Sequence, residues 1–281
     1  MAKPTETDEG QEITTVTSAD GTEIAYERLR SGPPLLLIYG GTLDHTYWDL
    51  ADVRPTIAED ATVYEIDRRG RGGSGDAEEY VPEREFEDVA AVVESIDEPV
   101  TLLGHSSGDF YSLKAALRTI NLGGHVLYEL SFPVEGGGFQ GRSEAEQREL
   151  MSLLDAGKLE HAYVDVWEFH AELTPEEVEV LRSSPLWQEY AERFPTLMPK
   201  NQRISECEFD PQRFADQTMP TLLLTGIEGG QWGQDTVLAL DDALSNTLAV
   251  TYEGHGHAGI ITTPDRFVDE VRAFIHEVND S

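Results

Sequence analysis

The stretch Leu102-Leu103-Gly104-His105-Ser106-Ser107-Gly108 decides how this chain is read. It continues an apolar run at 100–103, too short for a helix and suited to a strand buried on both faces, and it leads into a helical stretch over 110–118. A Gly-x-Ser-x-Gly pattern alone matches by chance too readily to carry weight. Between a buried strand and a helix it marks a sharp elbow that lifts a serine above the sheet. Glycines flank that serine because side chains there would collide with the adjoining strand and helix. The competing reading is a glycine-rich turn in an inert fold, so the surrounding residues have to discriminate.

Working outward, short continuous apolar runs recur at 34–39, 61–66 and 125–130. A helix is predicted over 85–96, where Phe86, Val89, Val92 and Val93 fall at helical spacing. Strands alternating with helices imply a parallel sheet. Before them, 13–16 and 22–26 read as a hairpin about Asp20-Gly21. From 136 to 211 the strand signal vanishes in favour of amphipathic stretches such as 144–154 and 175–182, the latter with Thr174 as N-cap. The alternation then resumes with strands at 221–226 and 248–252 and helices at 236–244 and 264–278. The expected organisation is an α/β core formed by 1–135 and 212–281, interrupted by a helical cap at 136–211.

A serine hydroxyl becomes a useful nucleophile only when a base removes its proton and a carboxylate orients that base. Of eight histidines, His255 and His257 lie in Gly254-His255-Gly256-His257-Ala258, after the last strand and before the last helix. That loop sits at the carboxyl ends of the strands, where open parallel sheets bind ligands. A metal reading of this His-x-His pair lacks further ligands at a recognised spacing. His125, at the start of a strand, belongs to the wrong edge, and His161, His170 and His276 fall on helix-like stretches. Two acids satisfy the order serine, acid, histidine: Glu129, after Val126-Leu127-Tyr128, and Glu228, just past the seventh strand. A carboxylate at the end of an apolar run such as Glu129 needs a partner to offset its burial.

The whole pattern resembles the α/β-hydrolase fold, from the first strands to the last helix. The resemblance rests on Tyr39-Gly40-Gly41-Thr42, on Asp67-Arg68-Arg69-Gly70-Arg71-Gly72-Gly73-Ser74, on the elbow, and on Gly-x-Gly-His at 254–257. It implies a mostly parallel, doubly wound sheet with an inserted cap, His257 rather than His255 as the base, and an oxyanion held by the N–H groups of Gly41 and Ser107. Two positions depart from the family pattern. Tyr39 stands where a histidine is common, and Gly229 stands where the acid usually lies. The second departure favours Glu129, since the dehalogenase-like branch of the fold takes its acid from the end of the sixth strand.

The expected activity is hydrolysis of an ester, thioester or lactone of a small molecule through an acyl-enzyme, with no cofactor and no metal. Epoxide-hydrolase or dehalogenase chemistry would need an aspartate at the elbow. Carbon–carbon bond hydrolysis, cofactor-free peroxidation and a catalytically slow small-molecule binder are the alternatives. His45 and Tyr39 are candidates to line the substrate pocket, His45 equally as a loop residue hydrogen-bonded to backbone. Trp48 reads as core, and the cap aromatics Trp167, Phe169, Trp187 and Phe194 are expected over the pocket mouth.

Composition narrows the partners. Against 54 Asp and Glu stand 20 Lys and Arg, a formal net charge of −34, and only four of the cations are lysines. This is the surface of a halophilic protein, and its apolar runs argue against an acidic disordered chain. Such a surface repels nucleic acid and anionic membranes. With neither an apolar stretch near 18 residues nor a signal peptide, a cytoplasmic location is expected. The lone Cys207 reads as structural, with Glu206 and Glu208 disfavouring a thiolate. Self-repulsion is strongest in dilute buffer and is screened when the Debye length falls to about 3 Å near 1 M salt. The melting temperature should therefore rise from dilute buffer to molar KCl; no change would show that the acidic surface does not govern stability.

Overall fold

A computed structural model describes residues 11–30, 32–130, 132, 142–228 and 230–280. Eight strands form one sheet in the order β1-β2-β4-β3-β5-β6-β7-β8: β1 (Gln11–Thr17), β2 (Glu23–Leu29), β3 (Pro34–Ile38), β4 (Thr62–Ile66), β5 (Val100–His105), β6 (Leu122–Tyr128), β7 (Thr221–Gly226) and β8 (Thr247–Tyr252). β1 and β2 form the expected hairpin, and β2 joins β4 antiparallel. All later pairings, from β4·β3 to β7·β8, are parallel.

The apolar runs are explained by burial on both faces of the sheet. Leu35, Leu37, Leu222 and Leu224 pack on one face, whereas Leu36, Ile38 and Leu223 pack on the other. The short α1 (Val53–Ile57), which follows a 3₁₀ segment at His45–Asp52, lies on the first face. The second face is covered by α2 (Pro82–Glu94) and α3 (Ser107–Ala116). β6 starts three residues before the predicted run, through Gly123-Gly124, because the helix at Pro264–Asp280 packs close to it: a Cβ on Gly124 would lie 3.1 Å from both Phe274 and Val278. It also ends earlier, at Tyr128, because Glu129 takes a left-handed conformation (φ 59°).

Among the described residues, four α-helices lie between β6 and β7: α4 (Glu144–Asp155), α5 (Leu159–His170), α6 (Pro175–Arg182) and α7 (Trp187–Ser205). Ser143 with Glu146, and Thr174 with Glu177, form capping boxes that fix where α4 and α6 begin. The start of this insertion, near 136, falls outside the described residues. Its helices sit against the loop after β3. Tyr190 Oη lies 2.8 Å from Thr46 Oγ1, Arg193 pairs with Asp44 at 2.5 Å, and Tyr163 Oη meets Thr42 Oγ1 at 3.3 Å. The core is completed by α8 (Gln231–Ala243), α9 (Gly259–Thr262) and α10 (Pro264–Asp280), with Phe267, Val271 and Phe274 of α10 against the sheet.

Candidate active site

Ser106 sits between β5 and α3 with φ 57° and ψ −125°, a conformation rarely adopted by residues other than glycine. Its neighbours show why the motif needs glycine. A Cβ on Gly104 would lie 2.4 Å from Asp109 Oδ1, and one on Gly108 would lie 2.0 Å from the carbonyl oxygen of Ile38. The Ser106 N–H donates to Tyr128 O at 3.0 Å, which fastens the elbow to the end of β6. The side chain is half-buried at the carboxyl end of the sheet.

Glu129, the residue that follows β6, is buried. Its Oε1 accepts from the Gly226 N–H at 2.5 Å and from Thr225 Oγ1 at 3.1 Å, and its Oε2 lies 3.6 Å from His257 Nδ1. The left-handed backbone at Glu129 turns the chain out of the strand as this carboxylate meets the end of β7. Glu228, by contrast, is exposed and forms no ion pair with His257; its N–H donates to His255 O at 3.1 Å. The structure thus brings Glu129, and not Glu228, to His257.

The loop that carries His257 is docked on the same elements. Tyr128 Oη donates to Gly256 O at 2.7 Å, and a Cβ on Gly259 would lie 2.1 Å from that hydroxyl. His105, immediately before Ser106, reaches the His257 carbonyl through Nε2 at 3.2 Å, and the two rings lie 4.8 Å apart. A carbonyl can only accept, so His105 carries its proton on Nε2. Burial between Tyr47 and Tyr128 pushes its imidazole well below the usual range, and the adjacent His257 adds to the effect, so His105 stays neutral. Among the described residues no hydrogen bond joins Ser106 Oγ to His257; such contacts often tighten only around a substrate. His255 takes another direction, with Nδ1 3.0 Å from Thr262 Oγ1.

The N–H groups of Gly41 and Ser107 enter no hydrogen bond among the described residues. Gly40 packs directly on the serine: a Cβ there would lie 3.2 Å from Ser106 Cβ. Tyr39 does not line the pocket as expected from sequence. It is fully buried, burial pushes its hydroxyl up to about 12, and the oxygen accepts the Arg68 N–H at 2.9 Å. His45 also points elsewhere. Its Nδ1 bonds Asp67 Oδ1 at 2.6 Å, a carboxylate rather than backbone, and that bond pushes His45 up to about 9. A narrow apolar hollow beside His257 is lined by Tyr47, His105, Trp167, Leu173, Leu181 and Ile261 among others. A second hollow shares Tyr47, Trp167 and Leu181 with it and extends to Tyr163 and Trp187. Of the cap aromatics, Trp167 lies nearest the site, 6.3 Å from the His257 ring, while Trp187 and Phe194 are buried in the core.

The remaining histidines and the cysteine are engaged elsewhere. His125 is buried with Nε2 2.7 Å from Ser112 Oγ, and burial pushes it down to about 3. His161 and His276 are exposed, and the side chain of His170 lies outside the described set. Cys207 directs its thiol at Arg203 O, and burial raises its pKa. No group of three or more metal-ligating side chains occurs among the described residues.

The sheet order, the elbow after β5 and a histidine loop after β8 are those of an α/β-hydrolase enzyme. Residues 35–270 match the alpha/beta hydrolase family, and the chain belongs to it. Among solved structures it is similar to an α/β hydrolase from Sphaerobacter thermophilus, at 29% identity and a TM-score of 0.72 over 90% of this chain and 99% of that one. It is also similar to an esterase from Rhodococcus (23%, TM-score 0.73, 95% and 99%) and to a putative aryl esterase from Burkholderia cenocepacia (19%, TM-score 0.75, 96% and 100%). At these identities the last two carry the fold alone. A comparison with curated proteins found no match.

Asp109, beneath the elbow, has a measurable signature. It is fully buried, with Oδ1 accepting the Tyr128 N–H at 3.2 Å and Oδ2 without a hydrogen-bond partner. Burial holds its carboxyl well above the usual range, and nearby Glu129 pushes the same way. A raised folded-state pKa contributes stability that is complete below the unfolded value of about 4 and is lost as pH rises. Asp109→Asn, neutral at every pH, should therefore gain in melting temperature on the wild type as pH rises from 4 to 8. A difference that stays constant with pH would show that Asp109 is not held protonated.

Proposed function

We propose that the protein hydrolyses an ester, thioester or lactone of a small molecule through an acyl-enzyme on Ser106. The observation that carries this reading is the 3.6 Å approach of Glu129 Oε2 to His257 Nδ1, in a loop bonded to the residue before Ser106. Acid, base and serine share one frame. In the first step Ser106 Oγ attacks the carbonyl carbon while His257 Nε2 takes the hydroxyl proton, and the carbonyl electron pair moves onto oxygen. The imidazolium, paired with Glu129, returns the proton to the leaving alcohol or thiol as the tetrahedral species collapses. Water, deprotonated by His257, then attacks the acyl group, and expulsion of Ser106 restores the enzyme. The N–H groups of Gly41 and Ser107 hold the oxyanion in both halves.

The lining of the two hollows supports this substrate class. Tyr47, Trp167 and Leu181 border both, which suits a small apolar acyl or alcohol group delivered under the helices α4 to α7.

Turnover of p-nitrophenyl acetate, butyrate and octanoate in molar KCl tests the assignment. Ser106→Ala should lower kcat by about 10⁴-fold or more, as expected for members of a catalytic unit. Glu129→Gln should be severely impaired, while Glu228→Gln should stay within about twofold of wild type, in line with its exposed position. Wild-type turnover by Ser106→Ala would overturn the nucleophile, and loss with Glu228→Gln but not Glu129→Gln would move the acid.

A further inference from the structure

Two buried arginines lie beneath the loop that carries Gly41. Arg68 Nη1 donates to Gly40 O at 2.7 Å, and Arg71 Nη2 donates to Gly41 O at 2.5 Å. Arg71 Nη1 bonds the carbonyl of Leu43 as well. A trans peptide is planar, with its C=O and N–H on opposite sides, and the chain has no cis bonds among the described residues. Holding the Gly40 carbonyl therefore sets the direction of the Gly41 N–H. Holding the Gly41 carbonyl does the same for the next peptide, so both planes that meet at Gly41 are clamped.

The two arginines are maintained differently. Arg68 is paired through Nε and Nη2 with the buried Glu85, at 2.5 and 3.0 Å, and Nη2 also bonds Tyr111 Oη. Arg71 is 3% exposed yet has no carboxylate within ion-pair distance among the described residues, and its Nε has no hydrogen-bond partner. Its guanidinium lies 5.4 Å from the centre of the Tyr39 ring, and that of Arg68 lies 5.5 Å from it. An aromatic face tolerates a cation without neutralising it. Tyr39 thus supports both cations where the family commonly has a histidine, and one positive charge under the loop remains uncompensated.

We propose that Arg68 and Arg71 are positioning residues for transition-state stabilisation: they fix the Gly41 amide, and the unneutralised charge of Arg71 favours the oxyanion over the neutral ground-state carbonyl. The inference rests on the acyl-enzyme reading of Ser106. Neither arginine touches substrate. Because a negative charge develops only as the tetrahedral species forms, the effect falls on kcat and not on substrate binding.

Arg71→Met removes one half of the clamp without stranding a carboxylate. Arg68→Lys keeps a cation beside Glu85 but has too few directed donors to serve Glu85 and Gly40 together. Active sites are counted with a fluorophosphonate mapped to Ser106, and kcat and KM for p-nitrophenyl acetate are measured per titrated site. Inhibition by a trifluoromethyl ketone, which forms a tetrahedral adduct, is measured alongside. In Arg71→Met, kcat per site should fall about 10- to 100-fold, less than for outright loss of an oxyanion donor. KM should change little, and the ketone should weaken by the same factor as kcat. Arg71→Lys should recover part of the loss, and Arg68→Lys should show a smaller loss of the same kind. A purely structural role would lower the titratable fraction or the melting temperature while per-site kcat and ketone affinity stayed at wild-type values, and that result in Arg71→Lys and Arg68→Lys overturns the proposal even if Arg71→Met does not fold. A wild-type enzyme whose Ser106 does not react with the fluorophosphonate overturns the acyl-enzyme reading, and this inference with it.

Discussion

The site depends on a serine backbone held at φ 57° and ψ −125° between a strand buried on both faces and a helix packed beneath it. Such a conformation costs on the order of 1–3 kcal/mol and persists only where the surroundings over-determine it. Here they do so by close approach. Gly104 and Gly108 leave no room for a side chain, Gly40 presses on Ser106 itself, and the serine N–H is bonded to the last residue of β6. The elbow is therefore a property of four adjoining elements, and a change in any of them is felt at the serine.

From that point the framework passes outward through consecutive residues. Tyr128 accepts the serine N–H through its carbonyl and anchors Gly256 through its hydroxyl. Glu129, the next residue, faces His257 while two donors from the end of β7 hold its other oxygen. His105 ties the base loop back to the elbow. An acid at the end of β6 can serve in place of one after β7 because both strands converge on the same loop, and in the proposed reaction it orients His257 from there.

Much of this was legible in the sequence, for local reasons. The runs at 34–39 and 222–224 read as parts of strands because residues buried on both faces are apolar at consecutive positions, and the glycines of 104–108 announced close approach. Thr174 marked a helix start as an N-cap residue before an amphipathic stretch. What escaped depends on long-range placement. The contacts of Arg68 and Arg71 with Gly40 and Gly41 span 28 and 30 residues, and no local pattern reports them. Tyr39 was read as a pocket residue from its position beside the loop, whereas its ring faces the two cations below. The helix α7 contains Pro195 and Pro199, which blur its periodicity, and the 3₁₀ segment at His45–Asp52 owes its form to a cap from Asp44 and to contacts with the insertion. The choice between Glu129 and Glu228 turned on a three-dimensional distance that spacing does not encode.

In the proposed reaction an acyl group passes through Ser106. This step is tested most directly by quenching the enzyme in acid during turnover of p-nitrophenyl acetate and mapping the protein by mass spectrometry. A single acetyl group is expected on the peptide containing Ser106, formed at the rate of the nitrophenol burst. Steady release of nitrophenol with no acylated Ser106, or acetylation confined to another residue, would contradict it.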